Sequence, residues 1–222
     1  MISVVVPVWC NEMSLEELVQ RIEKVLAQRA FELIFVDDAS RDGSLSILKR
    51  LQGRDSRIQL ISLEKNIGQH RAVIQGLKKA RGEIAIVMDA DLQDPPEAIL
   101  SLLAKIGEGF AGVFACRKGS YESAIRLLQS KIFKQLLHFL CKVPTDAGMF
   151  VALNRRMLER VLPFCPDLPF LVPLMGLSGL SITSIVVERP RRMKGVSGYS
   201  SYKRFKLALE ILLSVLRKKF FH

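Results

Sequence analysis

The chain has 222 residues, 49% of them hydrophobic, and fits one large domain, or a domain with an appendage, that buries a substantial core. Its four cysteines (Cys10, Cys116, Cys141, Cys165) lack paired metal-ligand spacing, which excludes a zinc module and suits reduced thiols in a cytosolic protein. The net charge of +11 is unevenly placed: residues 1–112 hold 14 Lys and Arg against 16 Asp and Glu, whereas residues 113–222 hold 19 against 6. An anionic partner is therefore expected at the second half. Acidic lipid or a phosphorylated substrate is expected rather than nucleic acid, the weaker choice, because the basic segments carry no interleaved aromatic platforms and no zinc-finger or RNA-recognition signature.

Met1 runs straight into the apolar strand Ile2–Val6, with no leader pattern ahead of it. Ser14-Leu15-Glu16-Glu17 reads as a capping box that opens an amphipathic helix to about Leu26. Phe31 to Val36 forms a second strand ending at Asp37-Asp38, and Asp42-Gly43-Ser44 starts a second helix. Ile58 to Leu63 is a third strand, and a helix from about Gln69 to Ala80 leads into a fourth, Ile84 to Met88. Asp89-Ala90-Asp91 follows at once, with Gln93 two residues on. Asp94-Pro95-Pro96-Glu97 then offers an N-cap, prolines in the first turn and a Glu three residues later.

Strand–helix units of this size predict a mostly parallel α/β sheet. Ligands of such sheets bind outside the carboxyl ends of the strands. Four strand ends carry polar groups: Asn11 and Glu12, Asp37 and Asp38, Asn66 and Gln69, Asp89 and Asp91. Clustered carboxylates repel unless a cation joins them, and Mg²⁺ or Mn²⁺ commonly takes one or two carboxylates plus substrate phosphates. Asp-x-Asp taken alone equally suits two loop aspartates capping a helix.

The second half changes character. Ala111 to Cys116 reads as a strand followed by Arg117, and Ser123 to about Cys141 as a helix with Arg126, Lys131 and Lys134 among apolar residues. Asp146-Ala147-Gly148 precedes a short strand and a helix near Asn154. The apolar stretch Phe170 to Val187 is broken by Pro173, Gly176 and Gly179, so it reads as a buried helix plus a strand rather than a membrane span. A basic loop, Arg189 to Gly195, leads to a tail from Tyr202 to His222 whose short apolar core has basic ends. Residues 1–200 are expected to form the main domain. Residues 201–222 suit either an amphipathic anchor on an anionic membrane surface or a helix packed on the domain with solvated ends. His70 and His138 lack partners at catalytic spacing and read as ordinary surface or satisfied histidines.

Four segments appear in order at domain-scale spacing: Val4 to Glu12, Phe35 to Ser44, Asn66 to His70, and Asp89 to Pro96. Together they resemble family 2 of the inverting glycosyltransferases, which has a GT-A fold, and within it the polyprenyl-phosphate glycosyltransferases. The resemblance implies a metal-dependent enzyme that moves a sugar from a nucleotide-diphosphate donor to undecaprenyl or dolichyl phosphate, peripheral on the cytoplasmic face of the membrane. A membrane-embedded protein partner is also consistent with it. By position it implies that Pro7, Trp9, Asn11, Glu12, Val36 and Asp38 hold the nucleotide. Asp89, Asp91 and Gln93, with Ala90 between the aspartates, match the metal and diphosphate positions. Arg117, Arg126 and Arg192 match phosphate-facing positions, where a permanently charged fork suits paired oxygens. Gly195 to Tyr199, with Ser197, resembles the family's Gly-x-Ser-Lys-Tyr loop, but Gly198 stands where the Lys would be. Asp146 and Gly148 resemble an Asp-x-Gly segment bordering the sugar or acceptor. Asp89, Asp91, Arg117 and Asp146 are thus the expected catalytic set. Two alternatives stand beside this reading: the same chemistry on a soluble or cell-surface glycan, and an inactive scaffold that keeps the fold.

Overall fold

The computed structural model describes residues 1–117, 124–165, 168–188 and 209–216 (for 117 and 124–132, the backbone). Seven strands form one sheet in the order β3-β2-β1-β4-β6-β5-β7. They are β1 (Ile2–Val8), β2 (Phe31–Asp37), β3 (Ile58–Ser62), β4 (Ile84–Val87), β5 (Gly112–Arg117), β6 (Val151–Asn154) and β7 (Ile182–Val187). The helices are α1 (Leu15–Leu26), α2 (Ser44–Arg54), α3 (Gln69–Leu77), α4 (Ile99–Gly107), α5 (Ala124–Cys141), α6 (Arg155–Val161) and α7 (Leu171–Leu177). Residues 209–216 add a helical segment.

Strands β1 to β4 pair in parallel, and β5 pairs in parallel with β7, as the strand–helix alternation predicts. Strand β6 lies between β4 and β5 and is antiparallel to both. Two reversals leave β5 running the same way as β4. Every strand except β6 therefore ends on one edge of the sheet, and β6 starts there. β1 and β2 are buried along their whole length, as central strands covered on both faces must be. Two apolar clusters fill the two faces, one around α1 and α4, the other around α3, α5, α6 and α7.

Helix α1 shows why packing outranks capping here. Leu15, Leu18, Val19, Ile22 and Leu26 are all buried, each contributing roughly 1.5–3 kcal/mol. A side-chain cap contributes about 1 kcal/mol. The expected capping box at Ser14 does not form: its hydroxyl donates instead to Ala90 O at 2.6 Å and Asn11 O at 3.1 Å. Asp94 likewise caps no helix. A 3₁₀ turn, Pro96–Ala98, precedes α4, and the Asp94 carboxylate is turned back to accept the Asp89 N–H at 3.3 Å.

Helix α3 approaches the sheet at Gly76, where an added Cβ would lie 2.4 Å from Val5 Cγ1 and 3.0 Å from Val36 Cγ2. This close seating holds the C-terminal end of α3 against β1 and β2. At the opposite edge of the sheet, buried Glu32 gathers donors from three segments of the chain: Ser3 Oγ at 2.7 Å, Gln59 Nε2 at 2.6 Å, and the backbone N–H and guanidinium of Arg81. Burial opposes ionisation of Glu32, but the bonds from Ser3 and Arg81 outweigh it and hold the carboxyl below its ordinary value.

A carboxyl depressed in the folded state stabilises it above the unfolded pKa, and that stability is lost as pH falls through the folded pKa. Glu32→Gln is therefore expected to cost about 1–3 kcal/mol at pH 7. Urea denaturation at pH 7 and at pH 3 checks this: the deficit against the unmodified protein should shrink at the lower pH.

Candidate donor site

The carboxyl ends of β1, β2, β3 and β4 surround a cleft of about 380 Å³. Its lining comes from every one of these exits: Pro7, Val8, Trp9 and Asn11; Asp38; Asn66, Gly68 and Gln69; Asp89, Ala90 and Asp91. The loops hold each other in place. After β1, Cys10 takes a left-handed turn (φ 55°) and donates its N–H to Ser40 Oγ at 3.0 Å. Asn11 N–H reaches Ser44 Oγ at 2.9 Å, and Glu12 N–H reaches Asp42. Trp9 is left half-exposed beside the cleft.

Asp38 is 3% exposed and grips the next loop. Its Oδ1 accepts the Ile67 N–H at 2.7 Å and its Oδ2 the Gly68 N–H at 2.9 Å, while Asn66 donates to the Asp38 carbonyl at 3.1 Å. Gly68 has φ +89°, a left-handed conformation that glycine adopts without Cβ strain. Helix α3 starts immediately afterwards, and Gln69 Nε2 donates to Asp89 Oδ1 at 2.6 Å. After β4, Gln93 N–H donates to Asp91 Oδ1 at 3.1 Å across a left-handed Leu92. These donors are neutral amides, which orient the carboxylates without cancelling their charge.

Of the residues expected to hold a nucleotide, Pro7, Trp9, Asn11 and Asp38 line the cleft together with Asp89, Ala90 and Asp91. Glu12 does not. Its carboxylate accepts the Gly43 N–H at 2.6 Å and belongs to the α2 entry. Val36 is fully buried beneath α3, where it shapes the floor of the fold rather than the cleft. Gln93 braces Asp91 through its backbone and is not among the lining residues. The side chains of Arg117 and Arg126, and all of Arg192 and Ser197, lie outside the described residues. Arg117 ends β5, on the same edge as the cleft. Asp146 is exposed on that edge too, beside Cys116. Burial, then a hydrogen bond with Asp146, pushes the Cys116 thiol up to about 12.

Val8, Asn66, Gly68 and Gln69 join the cleft lining beside the residues expected to hold a nucleotide. The Asn-x-Gly-Gln pattern before a helix was the available signal, because a glycine just ahead of α3 marks a backbone turn facing the strand ends.

The donor chemistry of the cleft fits a divalent cation carried in with a diphosphate. Asp89 and Asp91 are hard oxygen ligands, and among the described residues no group of three His, Cys, Asp or Glu is placed to bind a metal alone. Two protein carboxylates with the remaining positions filled by phosphate and water is a common arrangement for Mg²⁺.

His70, the second residue of α3, packs edge-on against Phe170 with ring centroids 5.0 Å apart, and its buried Nδ1 has no hydrogen-bond partner. This corrects the reading of His70 as a surface or satisfied residue. His138 does find a partner, Val143 O at 2.8 Å from its Nδ1. Burial, aided by the nearby Arg71 charge, lowers the His70 pKa to about 4.

Residues 3–162 match the model of the family described as glycosyl transferase family 2. The uncharacterized glycosyltransferase YkcC of Bacillus subtilis is 34% identical over 174 residues, 76% of this chain and 54% of that protein. The undecaprenyl-phosphate 4-deoxy-4-formamido-L-arabinose transferase of Shewanella sediminis is 34% identical over 177 residues, 78% of this chain and 54% of that protein. The chain thus spans about half the length of these curated relatives. Among solved structures, glucosyl-3-phosphoglycerate synthase from Mycobacterium tuberculosis, in complex with Mn²⁺, UDP and phosphoglyceric acid, superposes with a TM-score of 0.68. The identity is 19%, covering 97% of this chain and 77% of that one. Mannosyl-3-phosphoglycerate synthase from Rubrobacter xylanophilus gives 0.68 at 14% identity, covering 98% and 73%.

A histidine depressed from 6.5 to about 4 binds its proton first in the unfolded chain, so its neutrality stabilises the fold above pH 6.5 and that stability is lost as pH falls towards 4. His70→Leu is expected to remove up to about 3 kcal/mol of this acid dependence, read as a flatter stability profile between pH 7 and 4.

Proposed function

The chain belongs to glycosyl transferase family 2, and from that premise we propose that it is a glycosyltransferase that transfers a sugar from a nucleoside diphosphate to polyprenyl phosphate with inversion at the anomeric carbon. The observation that carries this is the cleft itself: four strand exits bring an exposed tryptophan, a gripped Asp38 and the Asp89 and Asp91 carboxylates around one space. The acceptor class rests on the relatives named for undecaprenyl phosphate.

In this reading Trp9 packs along the nucleotide base, and Pro7 and Asp38 bound the base and ribose. A Mg²⁺ or Mn²⁺ ion held by Asp89 and Asp91 would neutralise charge growing on the leaving diphosphate. Arg117, Arg126 and Arg192, which match the family's phosphate-facing positions, would supply fixed positive charge to phosphate oxygens. One acceptor phosphate oxygen forms a bond to the anomeric carbon as the bond to the diphosphate oxygen breaks. That oxygen is already ionised near neutral pH, so no strong general base is needed, and alignment with charge stabilisation does the chemistry. Asp146 and Arg117 stand by the end of β5, two strand spacings from β4, roughly 10 Å. That gap accommodates one sugar between donor and acceptor.

Approach to a cytoplasmic membrane surface is part of the proposal. Phe139 on α5 is 77% exposed, and Leu209, Leu213 and Leu216 are exposed on the helical segment 209–216, whose Ile211 and Val215 pack into the core. One face of that segment is therefore docked on the domain while another remains open. Among the described residues no helix is long and apolar enough to cross a membrane.

Incubation with labelled nucleotide sugars, Mg²⁺ and polyprenyl phosphate is expected to yield label extractable into organic solvent. No such label with any common donor overturns the proposal. Asp91→Ala should lower transfer by roughly 10²–10³-fold or more while leaving the thermal midpoint within a few degrees. Because Trp9 is the sole tryptophan, binding of the correct nucleoside diphosphate should change the intrinsic emission, and Trp9→Phe should abolish that signal.

A further inference from the structure

The first turn of α3 faces the cleft with a side chain that the reading above leaves without a task. Gln69 lines the cleft, and its amide nitrogen stands 2.6 Å from Asp89 Oδ1. We infer that Gln69 is a positioning residue: it fixes the rotamer of Asp89 so that the carboxylate meets the cation with a set orientation, and thereby sets metal affinity at the donor site.

Three observations support this. First, Gln69 is anchored from behind. The residues before it are held by both oxygens of buried Asp38, and the residue after it, His70, is packed against Phe170 at the start of α7. The amide is thus presented from a fixed backbone rather than from a free loop. Second, the donor is neutral. An amide can occupy one carboxylate oxygen and leave the full negative charge for a cation, whereas an ammonium in its place would compete with the metal. Third, Asp89 is constrained from its own backbone as well: its N–H donates to Asp94 Oδ2 at 3.3 Å, and Ser14 holds the next carbonyl at 2.6 Å. With the main chain set, the remaining freedom of Asp89 lies in its side-chain torsions, which the Gln69 bond restrains. Partners of this kind, one step removed from the ion, typically change metal affinity by roughly 10–100-fold when removed.

The inference rests on the proposed donor site and is tested by nucleotide binding rather than turnover. The probe is whichever of UDP, GDP, CDP, ADP or dTDP gives the largest Trp9 emission change, titrated with Mn²⁺ and again in EDTA. Gln69→Leu keeps most of the side chain's apolar stem but loses the donor. It is expected to raise the Mn²⁺ concentration at half-saturation roughly 10-fold or more, a larger change than in the nucleotide affinity measured in EDTA. Gln69→Asn, which keeps the donor on a shorter arm, should fall between, and it remains informative if the Leu variant fails to fold. Thermal melting without metal should be the same for all folded forms. If the unmodified protein shows Mn²⁺-dependent binding and both variants titrate as it does, the inference is overturned and the donor site stands. If the unmodified protein responds to none of the five nucleotides, or responds without Mn²⁺ dependence, the metal reading falls and this inference with it.

Discussion

A buried carboxylate gripping two consecutive backbone amides is the interaction on which the donor edge depends. Asp38 sits at the end of β2 with both oxygens spent on Ile67 and Gly68. Hydrogen bonds to an ionised acceptor are about twice as strong as neutral ones, and a buried carboxylate without them would be costly. The bonds decide where the β3–α3 loop turns, so they also decide where α3 begins and what its first residues face. The seating of Gly76 on Val5 and Val36 secures the far end of the same helix. A helix held at both ends can act as a ruler between two strand exits.

The same edge carries unusual backbone. Cys10, Ala39 and Leu92 all adopt positive φ, and each follows a different strand, β1, β2 or β4. Left-handed geometry costs a non-glycine residue roughly 1–2 kcal/mol. It persists here because hydrogen bonds over-determine the turns: Cys10 to Ser40 and Asn11 to Ser44 across loops, and Gln93 to Asp91 within one. Strain and acidity therefore gather where the cleft opens, while the opposite edge is closed by the satisfied Glu32 cluster. The second half adds what the first lacks, positive charge and an open apolar face.

Much of this was legible in the chain. Alternating strands and helices pointed to the parallel part of the sheet, and the four polar strand ends to the edge where the cleft opens, because local periodicity and strand-end chemistry are properties of short segments. The placement of β6 was not legible, since nothing in Val151–Asn154 states which strands it separates. The failures at single residues share a cause. Ser14 and Asp94 each sit where a local cap would suit them, yet each spends its side chain elsewhere: on Ala90 and on the Asp89 amide. His70 was misread because its burial comes from Phe170, a hundred residues away in sequence. Local pattern proposes a partner, and tertiary competition selects another. The Gln69–Asp89 bond belongs to that same class of contact.

The insertion of β6 between β4 and β5 has a consequence for the order of assembly. Strand β4 pairs with β1 on one side only until Val151–Asn154 has been synthesised. During that interval the growing chain presents an unpaired, apolar edge beside the emerging acidic loop. Exposed edges of this kind invite pairing with other chains. The first half is thus contiguous in sequence, yet the open edge of its sheet is closed only by a strand supplied by the basic half.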